Sequence, residues 1–340
     1  MKIPIIIAIE SSCDDTAIAI ITGNYVLSNI IGIQHIHQIY GGVMPEAASR
    51  AHQRDIVPLI NQALYAANIV KNQIDVVAFT KGPGLIGSLL IGSTFAKSLA
   101  MAWLIPFIGI HHIKAHVLSH FISIKGKDYP KFPYLCLTMS GGHTQVILVE
   151  NYFDMIIIGQ TIDDSVGETF DKIAKIIGLY YPGGIWIDYY SKYGNPKKFI
   201  FSKPKIGGFD FSFSGIKSQI LYLIRKELKK NPKFIVRNIY DICASVQKTL
   251  IDLLYDKIIL AIHKTKIFSI ALSGGVSANS YIRKKFSKAA NKNGWKLHLL
   301  PIEYATDNAA MIAISAQIKY SSALFDKLEF VPETNCGWNL

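Results

Sequence analysis

Two stretches of this 340-residue chain share one plan. "IPIIIAIESSCDDTAIAIIT", residues 3–22, passes from an apolar strand through a small, acidic turn into a second apolar strand. "YLCLTMSGGHTQVILVE", residues 134–150, does the same through a Ser/Gly turn. Continuous apolar runs of this length, bounded by turn residues, predict buried strands joined as hairpins. A third strand is predicted after each hairpin, near 25–34 and at 155–159. The first half continues as an amphipathic helix near 50–69, a strand at 74–80, a helix near 86–102, the strand "PFIGIH" and a helix opening at the histidines. The second half continues with helical segments, a strand at 268–275, a helix from Ser277 to about Asn291, the strand "WKLHLLP" and a helix from Thr306.

This repeated βββαβαβα order predicts an α/β chain of two duplicated actin-like or Hsp70-like (ASKHA, RNase H-like) domains with a cleft between them. The expected boundaries are residues 1–130 for the first half, 131–325 for the second and 326–340 for a tail. The Gly-, Pro- and Lys-rich segment at about 180–235 has no counterpart in the first half and is expected to be an insertion.

Composition narrows the function classes. Half of the residues are hydrophobic, so the chain can bury a large core. Apolar stretches such as "MAWLIPFIGI" are interrupted by Pro or Gly and fall short of the roughly 20 residues a membrane span needs, so none is expected. The N-terminal apolar run leads straight into acidic residues, which fits a buried strand better than a signal peptide. Cys13, Cys136, Cys243 and Cys336 stand far apart with no C-x-x-C pair, which argues against a disulfide framework and a thiolate metal site and suggests a reducing cytoplasm. Lys and Arg number 36 against 24 acids, a net charge of +12. That excess invites a polyanion such as nucleic acid, although a genome-wide drift toward Lys, Ile and Asn would produce it too.

The chemistry-bearing motifs lie on the predicted turns and helix starts. The "SGG" turns at 140–142 and 273–275 both end a strand, where glycine backbone can approach an anion and the serine hydroxyls can donate to phosphate. After the second turn a helix starts beside Asn279, whose amide can address an adenine or ribose edge. "KGPGLIGS", 81–88, matches G-x-G-x-x-G, but no acidic residue follows some 20 positions on and no G-x-x-x-x-G-K-[ST] loop exists, so a structural turn is expected. "GETFDKIAK" sets Glu168, Asp171 and Lys175 at helical spacing, an arrangement that ordinary surface pairs such as Asp171 with Lys175 also explain.

"PFIGIHHIKAHVLSH", 106–120, has four histidines, of which His112 and His116 share a helical face. Two imidazoles are too few for a catalytic metal, which usually takes about three protein ligands. "YATDNAAMIA" offers Asp307 as a third, although an acid at a helix start also serves the helix dipole. A zinc protease is excluded, because H-E-x-x-H needs a Glu where this chain has Ile113.

Taken in order, "AIESSCDDTAIAI", "GGVMPEAASRAH", "KGPGLIGSL", "HHIKAH", "MSGGHTQ", "GETFDKIAK", "YPGG", "FSFSGIKS", "LSGGVSAN" and "ATDNAAMIA" resemble the TsaD family (formerly Gcp), the tRNA threonylcarbamoyladenosine transferases, over nearly the whole chain. The resemblance implies an acyltransferase that moves threonylcarbamoyl from threonylcarbamoyl-AMP to the exocyclic amine of the adenosine beside the tRNA anticodon. It implies one divalent metal, Fe2+ or alternatively Zn2+, on His112, His116 and Asp307, with no catalytic side chain beyond that centre. It also implies substrate contacts at Thr138, Met139, Ser140, Gly141, Gly142, Asp171, Gly184, Asp188 and Asn279. A TsaB-like paralogue and a TsaE-like ATPase are the implied partners, in the cytoplasm. The chain departs from the family at Lys114, where a Glu is common. The basic tracts at 191–205, "RKELKKNPKF" and "RKKFSKAANKNGWK" suit tRNA phosphates, and solvated helix faces equally.

Overall fold

The computed structural model describes residues 3–327 and 329–338. The chain divides into two compact units, Met1–Tyr129 with Leu300–Leu340, and Pro130–Leu299.

In the first unit the predicted hairpin is β1 (Ile5–Glu10) and β2 (Asp15–Thr22), followed by β3 (Tyr25–Ile33). Two helices intervene, α1 (Ile36–Tyr40) and α2 (Pro45–Ala67), before β4 (Val76–Gly82), α3 (Ile86–Trp103), β5 (Phe107–His111) and α4 (His112–Leu118). The sheet runs β3-β2-β1-β4-β5, antiparallel across the hairpin and parallel from β1 through β4 to β5. Ile6 to Ile9 and Ala17 to Ile20 are fully buried, as strands covered on both faces must be. Pro45 opens α2, where its missing N–H costs nothing, and Asn68 closes it in the left-handed conformation. α3 is long and apolar enough to cross a membrane by length and composition alone. It packs on β4 and α2, with Leu89, Gly92 and Ala96 buried.

The second unit repeats the order. β6 (Tyr134–Met139), β7 (Thr144–Val149) and β8 (Met155–Gln160) precede four helices: α5 (Val166–Ile176), α6 (Gly183–Ser191), α7 (Ser214–Leu228) and α8 (Phe234–Thr265). Then come β9 (Ser269–Ser273), α9 (Ser280–Asn293) and β10 (Lys296–Leu299), in the sheet order β8-β7-β6-β9-β10. The predicted start of α9 at Ser277 is a short 3-10 turn, Gly275–Ala278. The core joins Phe170, Phe211, Phe213 and Ile216 to Leu250 and Ile258 of α8.

The domain boundary differs from the one the element order suggests. After β10 the chain returns to the first unit as α10 (Ile302–Ala305) and α11 (Ala309–Ser321). α11, expected at the end of the second half, packs on β1, β2, β5 and α4. It is buried without a break from Ala309 to Ala316, and a helix that is apolar all round needs cover on more than one side. The sheet and α4 together provide that cover. The tail is equally integral to this unit. Asp326 accepts the Gly109 N–H at 2.8 Å, Glu333 N–H donates to the Lys81 carbonyl at 3.0 Å, and the Phe330 ring meets Phe79 at 5.8 Å.

Candidate metal centre and substrate turns

β5 delivers the chain to α4 through His111. Its Nδ1 accepts the Lys114 N–H at 3.4 Å, and its Nε2 lies 3.3 Å from the Cys336 carbonyl. One turn of α4 then brings the His112 and His116 rings edge to face, 4.8 Å between centroids. Asp307 arrives from the start of α11. The helix cap is taken by Asn308, whose Oδ1 accepts the Met311 N–H at 3.0 Å. Asp307 is therefore not needed as a cap, and its Oδ1 lies 3.0 Å from His116 Nε2 and 3.6 Å from His112 Nε2. Donor atoms of the three side chains all lie within 4.8 Å of one another.

Behind His112 stands Glu10, at the end of β1. Its carboxylate accepts from the Ser12 N–H (2.6 Å) and the Thr80 hydroxyl (2.5 Å), and lies 3.1 Å from His112 Nδ1. Since a carboxylate only accepts, Nδ1 carries a proton and the Nε2 lone pair of a neutral His112 is aimed at the Asp307 oxygen. Two electron-rich atoms face each other there unless a proton or a metal ion lies between them. Burial pulls the His112 imidazole down, but Glu10 and Asp307 outweigh it and raise it to about 10. Asp307 is held well below the ordinary carboxylate range: burial opposes this, and the His112 and His116 imidazoles overcome it. His116 Nε2 faces the same Asp307 oxygen, and its buried Nδ1 has no hydrogen-bond partner among the described residues.

The donor set fits a divalent ion. Two imidazoles and one carboxylate are a usual catalytic ligand set with a position left open. The carboxylate behind His112 fixes the tautomer that a ligand needs. Asp307 keeps 31% of its side chain exposed, while His116 is fully buried, so the cluster is open only on the Asp307 side.

The nine residues expected to touch substrate all lie in the second unit. Gly141 and Gly142 form an exposed turn after β6, braced by the Ser165 hydroxyl donating to the Gly141 carbonyl at the start of α5. Gly274, at φ +81, lies so close to β6 that a Cβ would sit 2.3 Å from the Met139 carbonyl oxygen. The two Ser/Gly turns are thus packed together. Asp171 accepts the Gly183 N–H at 2.7 Å, which ties α5 to the start of α6 beside Gly184. Asp188 accepts from both the hydroxyl and the N–H of Ser280, 2.7 and 3.1 Å.

Three of the groups singled out in the sequence are engaged within the chain. The Ser273 hydroxyl is buried against Thr138 Oγ1 at 3.0 Å. The Asn279 amide is engaged internally: its Oδ1 caps α9 and its Nδ2 donates to Gln247 at 2.7 Å. In α5 Glu168 pairs with Lys172 at 2.8 Å.

Residues 25–314 match the family described as TsaD, tRNA N6-adenosine threonylcarbamoyltransferase. The chain belongs to the TsaD family. Its relatives include the tRNA N6-adenosine threonylcarbamoyltransferases of Riemerella anatipestifer, 55% identical over 96% of both chains, and of Thermosipho africanus, 43% identical over 96% of this chain and 98% of that one. It is accordingly an acyltransferase of tRNA modification. Among solved structures, T.kodakarensis HypF matches 94% of this chain and 48% of its own at 13% identity, TM-score 0.63. The Clostridium difficile activator of 2-hydroxyisocaproyl-CoA dehydratase matches 96% and 99%, at 13% identity and TM-score 0.50. Both likenesses are of fold alone.

In this TsaD family member the sequence reasoning overlooked Glu10, Ser12 and Thr80. One signal was available: Glu10 ends a strand of otherwise apolar residues, and a carboxylate buried there requires partners. The departure at Lys114 places an ammonium 5.4 Å over the Trp338 ring of the tail, so the substituted position faces the tail. In the "KGPGLIGS" loop a Cβ on Gly84 would lie 2.4 Å from the Ser12 carbonyl, which accepts the Leu85 N–H.

Proposed function

We propose that this chain transfers the threonylcarbamoyl group of threonylcarbamoyl-AMP to the N6 amine of the adenosine beside the anticodon, in tRNAs that read codons starting with adenine. The observation that carries the reading is the convergence of His112, His116 and Asp307, with Glu10 holding His112 in the ligating tautomer. A divalent ion, Fe2+ or Zn2+, held by these three residues would supply Lewis acidity to the carbamoyl carbonyl. The protein residues do the remaining work. Glu10 is engaged by Ser12, Thr80 and His112 and orients His112 without acting as a base. No acid is needed of it, because AMP in the mixed anhydride is already a good leaving group, and the proton that the N6 amine loses passes to the departing phosphate or to solvent. The donor is held by the turn from Thr138 through Met139, Ser140, Gly141 and Gly142, with Asp171, Gly184, Asp188 and Asn279. Asp188 and Asn279 would exchange their present bonds to Ser280 and Gln247 for bonds to substrate. Positioning and oxyanion stabilisation are the sources of rate.

The same reading carries a TsaB-like paralogue and a TsaE-like ATPase as partners and a cytoplasmic location, with which the four free cysteines agree. The test is reconstitution with threonylcarbamoyl-AMP, the partner subunits and unmodified tRNA, with the nucleosides then analysed. Wild type is expected to form threonylcarbamoyladenosine and His112→Ala to form none. Full transfer by a metal-free His112→Ala chain would remove the metal from the mechanism, and ATP hydrolysis without tRNA would favour an ATPase.

A further inference from the structure

Six aromatic rings, those of Tyr180, Trp186, Tyr189, Tyr190, Tyr193 and Tyr240, form an unbroken run from the start of α6 to α8. Adjacent centroids lie 5.5 to 6.4 Å apart and the planes are tilted by 30° to 78°. Four of the rings are open to solvent: Tyr180 is 72% exposed, Tyr193 66%, Tyr189 50% and Tyr240 46%. Contiguous exposed aromatics on a surface need a reason, since scattered ones do not.

The charge pattern supplies one. Between residues 192 and 237 the chain has twelve Lys and Arg against two acids, which accounts for ten of the chain's +12. The fold draws part of this excess around the rings. Lys192 and Lys197 follow α6, and Arg237 precedes Tyr240 by one turn of α8, all three exposed. Asp241, the acid beside Tyr240, is bound by Lys198 and by the Asn195 N–H, 2.7 Å each, so its charge is offset. An open groove of about 460 Å³ adjoins Lys198 and runs to Tyr222 on α7, itself 69% exposed.

Resting on the tRNA-transferase reading, we propose that this face of α6, α7 and α8 is a tRNA-binding surface. Its tyrosines stack on unpaired bases and its cations follow the phosphates. Rings standing at different tilts with cations interleaved suit single-stranded RNA, whose bases each offer a π-face between charged linkages.

The test is the affinity of the full chain for unmodified tRNA, titrated in salt, with folding checked by circular dichroism. Combined Lys192→Glu, Lys197→Glu and Arg237→Glu is expected to lower affinity at least tenfold and to reduce the salt slope by about 2 to 3. Combined Tyr189→Ala and Tyr193→Ala is expected to lower affinity about fivefold or more with the slope unchanged. Unchanged affinity in both would overturn the proposal. So would an equal loss from reversing Lys71, Lys125 and Lys127 on the other unit, or loss of binding to anionic vesicles with tRNA affinity intact. Binding is read without transfer. A wild-type chain that binds tRNA through this face yet makes no modified adenosine would fail the transferase reading and support the surface.

Discussion

At the scale of single residues, the candidate centre is an arrangement of charge around His112. A carboxylate on each side of one buried imidazole favours a cation there, and a metal ion competes with a proton for that place. Glu10→Gln keeps the shape and removes the charge, so it is expected to weaken metal binding by about 10- to 100-fold, as loss of a partner behind a metal-bound histidine does. Competition against a chromogenic chelator measures this, and unchanged affinity would show that Glu10 is structural only. The pH dependence has a definite sign. In the metal-free chain His112 is raised from 6.5 to about 10, so its stabilising contribution is complete below pH 6.5 and is lost as pH rises through 10. Urea midpoints of the metal-stripped chain are expected to fall over that interval, and His112→Gln is expected to flatten the trend. Metal binding near pH 7 should also release about one proton per site, which calorimetry in buffers of different ionisation enthalpy detects.

Among the elements, the turns decide how the strands can be packed. Gly274 combines a positive φ with backbone contact against β6, so Gly274→Ala is expected to destabilise the second unit by roughly 2 kcal/mol or more. Gly142 faces open space, and Gly142→Ala is expected to cost less than about 1 kcal/mol. Urea denaturation of the two variants makes the comparison, and equal costs would mean that the Gly274 contact relaxes freely. Strands and hairpins were the most legible part of the chain, because an apolar run bounded by turn residues has few other ways to be buried. Caps were less legible. Asn308 and not Asp307 caps α11, and adjacent residues of equal capping propensity cannot be ranked without the geometry.

Across the whole molecule, the two units differ in what a ligand can stabilise. Every donor of the candidate centre belongs to Met1–Tyr129 or Leu300–Leu340. A saturating ion at a thousand times its Kd adds about 4 kcal/mol to the folded state that holds it. Hydrogen exchange should therefore slow in α4, α11 and β1 when metal is added, and remain unchanged in β6, β7 and β9. Equal protection of both sheets would show that the units unfold as one.

The sequence alone determined the duplicated α/β plan, the order of its strands and, through ten ordered motifs, the family. It also singled out His112, His116 and Asp307, because spacing on one helix and a short motif are local properties. Only the tertiary structure decided which unit α11 covers, what stands behind His112 and which charges gather around the α6 rings. Those facts depend on contacts across 102 residues for Glu10 with His112 and 191 for His116 with Asp307. Local periodicity carries no information about partners at that separation, since it is closure of the fold that brings them within hydrogen-bonding distance.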